Sequence, residues 1–349
     1  MRHSLGWQPR AKIDAVRSPR TDRPTLPPML LPPWAYPLVG IGAVLIGLLP
    51  WIRAGLRLPL QNLWGTDTLP EAMPVALLPL NQYYLHIILG LLVTAGLIGG
   101  VIARAAPPAH RALSGGLTAA GTFLAMAFAV VQSALVLADG LRDNDERSGT
   151  YLVLIVAWAV LSALGGLLVL VLVARAPRAG ATVAVALAAP GVGSWAQALL
   201  APSVALASPA VVTVVGYLHW LPAVLVGLAL AWCGARTSGR IGAWVMSLVL
   251  LWVLPAVQTV IGYVAGFRRS SSLWESLGSG LDLLGLVLAP DIAGPPVLLA
   301  LALGVLGSVT IWALLRVRAR RLDHQLREHV EHPPTTTQPP DTDTARDQT

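Results

Sequence analysis

Apolar residues along this chain do not alternate with polar ones, and they do not mark one stripe of a helix. They come in nearly unbroken runs of about 20 residues, and almost all the charges sit in the short segments between them. A helix rises 1.5 Å per residue, so a run of about 20 covers the roughly 30 Å hydrocarbon layer of a bilayer. Eight such runs are expected, at 34–53, 83–103, 114–138, 151–173, 181–201, 210–233, 241–266 and 294–315. The fold class is therefore all-α: a polytopic helical membrane protein with about eight transmembrane helices. Residues 1–33 form a basic, Pro-rich leader, 34–317 the transmembrane domain, and 318–349 a charged, Pro/Thr-rich tail. Both ends hold too little apolar surface to bury and are expected to be disordered.

Three stretches depart from the plain pattern. The fifth run reads "ATVAVALAAPGVGSWAQALLAPS", and Pro190, Gly191, Gly193 and Ser194 interrupt it. Proline removes a backbone donor and kinks a helix. A break at membrane depth is tolerated only where it is buried in protein or lines a cavity, so it reads either as a packing kink or as a discontinuous-helix substrate site. This weak run makes seven spans the rival count. Leu273, Trp274, Leu277, Leu281 and Leu284 recur at helical spacing, but Glu275 and Asp282 argue against a full crossing, so a short interfacial helix is expected there. The first long loop, Leu56 to Asn81, is Pro-rich and moderately apolar, and should fold back over the bundle.

Composition agrees with the pattern. The chain of 349 residues is 55% hydrophobic and 12% charged, with mean hydropathy +0.67, whereas a soluble domain carries about 25% charged residues. The net charge of +7 would raise nucleic acid as a partner in a soluble protein. Here the basic residues cluster at membrane ends, with no basic stripe interleaved with aromatics, and nucleic acid is excluded. With the N-terminus in the cytosol, Arg104, Arg111, Arg175, Arg178, Arg236 and Arg240 fall in cytosolic loops that hold no acid. Asp67, Glu71, Asp139, Asp143, Asp145, Glu146, Glu275, Asp282 and Asp291 fall outside. That alternation follows the positive-inside rule and places both termini in the cytosol. No cleavable signal peptide is visible, and the first apolar run should remain as an anchor. The preference for arginine, alanine, glycine, leucine and valine points to a bacterial plasma membrane. One cysteine, Cys233, leaves no intrachain disulfide.

The triplet Tyr-Leu-His occurs at Tyr84–His86 and again at Tyr217–His219, each time opening an even-numbered run. Tyr151 opens the run between them, at spacings of 67 and 66 residues (84, 151, 217). Each run ends in Ala-Arg, at Arg104, Arg175 and Arg236, and each following run places a glutamine late: Gln132, Gln197 and Gln258. Four features in one order at one period suggest a helical-hairpin repeat of about 66 residues, although bilayer thickness alone imposes similar spacings of Tyr and Arg.

No Asp, Glu, Lys or Arg lies well inside a run, which argues against a proton-coupled pump. The polar residues left as a candidate intramembrane site are Gln132, Gln197, Gln258, His86 and His219, together with Pro190. Paired histidines on separate helices could ligate a haem or metal, or simply sit at the interface beside tyrosine. Eight spans with histidines on even helices also occur in the heme A synthase family. Spans 4 and 8 here lack histidine, no Glu-x-x-His motif occurs, and no external cysteine pair exists, so that resemblance is not carried over. The glutamines read as interhelical glue or as the lining of a polar path. The acidic segment "ADGLRDNDERSG" lacks the spacing and central glycine of an EF-hand and reads as a solvated loop. "GLIGG" at Gly96–Gly100 and "SALGG" at Ser162–Gly166 read as close-packing faces.

No catalytic residue, cofactor or metal is expected, and no nucleotide-binding or hydrolase motif occurs. The function expected is a transporter or permease-like subunit for a neutral or lipidic molecule. Its partners would be the lipid bilayer, other membrane proteins or an ATPase subunit. A non-catalytic scaffold of an envelope-assembly complex is the alternative, and a lipid-modifying or redox membrane enzyme the third reading.

Overall fold

The computed structural model describes residues 31–143, 145–201, 208–266 and 273–331. Most of the leader, the far tail 332–349 and the link at 267–272 lie outside the described residues. The elements are helices: α1 Ala35–Gly47, α2 Leu49–Arg53, α3 Leu85–Arg104, α4 Arg111–Gly140, α5 Glu146–Arg175, α6 Arg178–Leu200, α7 Pro209–Leu218, α8 Leu221–Cys233, α9 Ser238–Gly266, α10 Leu273–Val287 and α11 Pro290–Glu331. Among the described residues, seven helices are long and apolar enough to cross a membrane, with α7 and α8 forming one of them.

The short member is the first run, not the fifth. α1 has 13 residues and is separated from α2 only by Leu48, which keeps helical dihedrals. The fifth run, expected to break at Pro190, is instead α6, 23 residues long and continuous through that proline. Its buried face is almost entirely Ala and Gly, from Ala181 to Gly193, so α3, α5, α8 and α9 close on it from several sides. The real interruption lies at His219 and Trp220, between α7 and α8. Pro222 has no N–H to give to the Leu218 carbonyl, and the backbone tightens into i→i+3 bonds, His219 N to Gly216 O and Trp220 N to Tyr217 O. α10 is the short helix expected, while α11 runs 14 residues past the 317 boundary at which a disordered tail was expected. "RVRARRLDHQLREHVE" is rich in strong helix formers, which extends the helix.

Helix crossings in the first half are set by glycine. A methyl group on Gly96 would collide with the Gly166 carbonyl, and one on Gly166 with the Leu92 carbonyl, so α3 and α5 touch backbone to backbone. Gly40 and Gly121 do the same for α1 and α4. Between apolar helices in lipid, close van der Waals packing of this kind replaces the hydrophobic driving force.

The 54–81 segment folds back over this half. Leu58, Met73, Ala76, Leu78 and Leu80 are fully or almost fully buried. Its backbone is pinned by side chains from below: Trp51 Nε1 donates to Ala76 O (2.8 Å), and Ser133 Oγ accepts from Leu78 N (2.8 Å). Gln61 accepts from the Tyr151 hydroxyl (2.6 Å) and donates to Leu80 O (2.9 Å).

The two ends of the bundle carry opposite chemistry. Arg104 donates to the carbonyls of Val173 (2.6 Å) and Ala176 (2.9 Å), and Arg175 to that of Ala112 (2.8 Å), tying the α3–α4 and α5–α6 turns together. At the other end the 54–81 cap meets the acidic turn, with Gly65 N donating to Gly140 O (2.8 Å).

Candidate functional site

The second half of the bundle, α6 to α11, contains a cavity of about 440 Å³. Its wall is built from α6 (Pro190, Ser194, Gln197), the α7–α8 joint (His219, Pro222), α9 (Trp252, Pro255, Gln258, Thr259), the start of α11 (Ile292, Pro296) and His86 near the start of α3. Gln197 lies three residues from the end of α6, and Pro190 seven residues further in, about 10 Å deeper along the axis at 1.5 Å per residue.

Four of these wall residues are prolines, one on each surrounding helix: Pro190, Pro222, Pro255 and Pro296. Each lacks the N–H that would bond the residue four back, so the carbonyls of Ala186, Leu218, Leu251 and Ile292 lose that rung. Leu251 and Ile292 themselves line the cavity. The hydroxyls in the wall are committed within their own helices. Ser194 donates to Pro190 O (3.3 Å) and Thr259 to Pro255 O (2.9 Å), leaving oxygen lone pairs as acceptors. Trp252 Nε1 donates to Leu288 O (3.2 Å), locking α9 to the α10–α11 joint and setting its ring in the wall.

The structure brings five of the six sequence-predicted site residues, His86, Pro190, Gln197, His219 and Gln258, to this one cavity. The side chains of His86, Gln197, His219 and Gln258 make no hydrogen bond to another described residue. His219 meets only Trp220, edge to face at 5.9 Å. Each carboxamide offers two donors and an acceptor, and each neutral imidazole one of each. Among the described residues, no Asp, Glu, Lys or Arg lines the cavity. The site is thus polar without fixed charge, and two-faced in hydrogen bonding.

Gln132 goes elsewhere. Its Oε1 accepts from Leu77 N (2.9 Å) and its Nε2 donates to Val75 O (2.9 Å), so it clamps the cap onto α4. The tyrosines of the sequence pattern also diverge. Tyr84 meets the Trp51 ring edge-on at 6.1 Å, Tyr151 bonds Gln61, and Tyr217 is 72% exposed on α7.

Pro222, Trp252, Pro255 and Pro296 escaped the sequence reading. A signal for Pro255 was present: Pro190-x-x-x-Ser194 and Pro255-x-x-x-Thr259 are one pattern, offset by 65 residues (255 minus 190). Among the described residues no group of three or more His, Cys, Asp or Glu is placed to hold a metal, the acidic turn included. Compared with known proteins, the chain matches no protein-family model, no curated protein and no solved structure.

Proposed function

We propose that this membrane protein binds and conducts a neutral molecule, itself rich in hydrogen-bond donors and acceptors, through the cavity between α3, α6, α8, α9 and α11. The observation that carries the reading is the convergence of Gln197, Gln258, His86 and His219, without protein partners among the described residues, on a wall free of ionised side chains. Gln197 and Gln258 are half-buried, and an unpartnered amide there costs free energy unless something satisfies it, which a hydroxylated or amide-bearing ligand does, while His86 and His219 are the more exposed pair. An ionic ligand would find no counter-charge there. The cavity volume suits a small molecule or the head of a neutral lipid.

Proline-containing helices around the cavity support movement rather than static binding, because their missing rungs are where a helix bends most cheaply. No carboxylate lines the cavity among the described residues to couple a proton gradient, so uphill movement would draw on a partner, such as an ATPase subunit. In this reading α1 with α2 completes an eighth crossing, the repeat is a duplicated hairpin, and the arginine-rich end faces the cytosol of a bacterium with both termini inside.

The test uses an NBD-labelled monoacylglycerol, a neutral amphiphile with free hydroxyls. Wild-type protein in phosphatidylcholine nanodiscs should bind it saturably. In Q197L/Q258L the affinity should fall about ten-fold, as the loss of two intramembrane hydrogen bonds implies. In proteoliposomes, dithionite quenching should show the probe crossing faster with wild type than with Q197L/Q258L. Unchanged binding in the double variant sinks the site, and binding without faster crossing sinks transport in favour of a scaffold or accessory role.

A further inference from the structure

Arginines at the far end of the bundle divide into two groups. Arg104, Arg111 and Arg175 spend their guanidinium donors on loop carbonyls: Val173 and Ala176, Ala106, and Ala112. Arg178, Arg236 and Arg240 do not. They surround a notch of about 360 Å³ between α6, α8, the start of α9 and α11. Arg178 lies over the Trp232 ring at 5.6 Å, with Arg104 over the same ring at 4.8 Å, and the guanidinium groups of Arg236 and Arg240 have no hydrogen-bond or ion-pair partner among the described residues. No acidic residue lines the notch among the described residues. Topology alone requires arginines on this side of the membrane. It does not require three of them to keep their donors free around one concavity while three neighbours are consumed.

The turn carrying Arg236 is built for the purpose. Gly234 ends α8 with φ 65° and ψ 172°, a conformation nearly restricted to glycine. The Trp244 indole donates to its carbonyl (3.2 Å) and pins the turn. The notch continues along α11 into exposed apolar surface, where Ile311 is 43%, Trp312 44% and Leu315 54% exposed. Arg316 covers the Trp312 ring at 4.0 Å. Tryptophans at this level belong to the headgroup belt, and an apolar groove leading from them toward the bilayer fits an acyl chain better than a free ion.

We propose that this notch binds the phosphate of an anionic phospholipid, with Arg178, Arg236 and Arg240 as donors, Trp232 and Trp312 flanking the glycerol, and the acyl chains lying along α11. Basic pockets between transmembrane helices are the form that such recognition takes. The site lies at the opposite end of the bundle from the cavity proposed for the transported molecule, and stands independently of it.

The test is native mass spectrometry of the full chain released from micelles holding equal phosphatidylglycerol and phosphatidylcholine. Wild type should retain the anionic lipid at least about ten-fold over the zwitterionic one, since arginines at the membrane surface attract anionic lipid headgroups. R178Q/R236Q/R240Q should lose that preference while keeping its helical circular dichroism. R318Q/R320Q/R321Q removes the same charge from the α11 extension and should retain it, and R178K/R236K/R240K should keep most of it. Equal loss in both glutamine triples, or no preference in wild type, overturns the site. Displacement of the lipid by 10 mM inorganic phosphate would reassign the notch to a free anion and overturn the lipid proposal.

Discussion

The two halves of the bundle solve the same problem in opposite ways. Of the apolar windows of α3 and α4, 56% and 39% are buried within the protein, against 17% for α9 and 11% for α11. In the first half, glycines bring backbones into contact, and a folded-back segment is stitched to the helix ends by Trp51, Gln61, Gln132 and Ser133. In the second half Gly227, Gly304 and Gly307 bring α8 against α11 around a smaller core that includes Val226, Leu230 and Leu251, but prolines line a cavity beside that core and polar side chains there are left without partners among the described residues. α6 is the hinge between them. Its Ala/Gly face packs on α3 and α5 to one side and on α8 and α9 to the other, and Trp195 Nε1 reaches back to the Gly47 carbonyl at 2.9 Å. The amides are segregated: Gln61 and Gln132 are satisfied by the folded-back segment and stabilise the first half, where Thr94, Thr118 and Ser148 keep buried hydroxyls without a partner among the described residues, while Gln197 and Gln258 are left open in the second.

The largest test of that contrast is a pair of glycines. Gly166→Leu forces a side chain into the Leu92 carbonyl, a backbone atom that cannot give way. Overpacking of this kind costs about 3 kcal/mol or prevents folding, and thermal unfolding in detergent should show it. Gly262 lies on α9 beside the cavity, and a methyl group there would meet nothing within 4 Å. Gly262→Leu should leave the melting temperature unchanged or slightly raised, because leucine favours helix over glycine by up to about 1 kcal/mol. Equal destabilisation by both would erase the distinction between a packed half and an open one.

Next in size is the contrast among glutamines. Gln132→Leu strands the Leu77 N–H and the Val75 carbonyl, and an orphaned backbone group costs about 1–3 kcal/mol. Its melting temperature should fall, and trypsin should cut sooner at Arg57 in the cap. Q197L/Q258L removes no internal hydrogen bond among the described residues and should change stability by no more than about 0.5 kcal/mol, while weakening probe binding about ten-fold. If the double variant proves the less stable, these amides are glue and the cavity is a packing defect.

The glutamines also show where sequence reading reaches its limit. The long helices, the arginine-rich end and the Gly96/Gly166 face were legible because bilayer thickness, insertion charge rules and helix contact each impose a local pattern. Gln132, Gln197 and Gln258 share residue type and place in the pattern, yet only the last two reach the cavity. What separates Gln132 is the 54–81 segment arriving from 55 residues away in sequence, a tertiary event that no local period encodes. The position of the helix break was hidden for a similar reason. Pro190 and Pro222 both remove a rung, but Pro190 lies on a face packed all round, whereas Pro222 follows α7, in which no residue is buried. Surroundings decide whether a missing hydrogen bond opens a helix.

That difference makes the smallest prediction and the most discriminating. Pro222→Ala restores an N–H facing the Leu218 carbonyl. A net backbone hydrogen bond is worth about 1 kcal/mol, so amide hydrogen exchange across 216–224 should slow about five-fold. Pro190→Ala restores the equivalent rung to Ala186, but α6 is already held by α3 and α8, and exchange across 186–194 should change less than about two-fold. The slower exchange at the α7–α8 joint should also slow probe crossing if His219 must move aside for the ligand. A larger response at Pro190 would make α6 the moving wall, and would shift the boundary between rigid and open halves from the α7–α8 joint into the centre of the bundle.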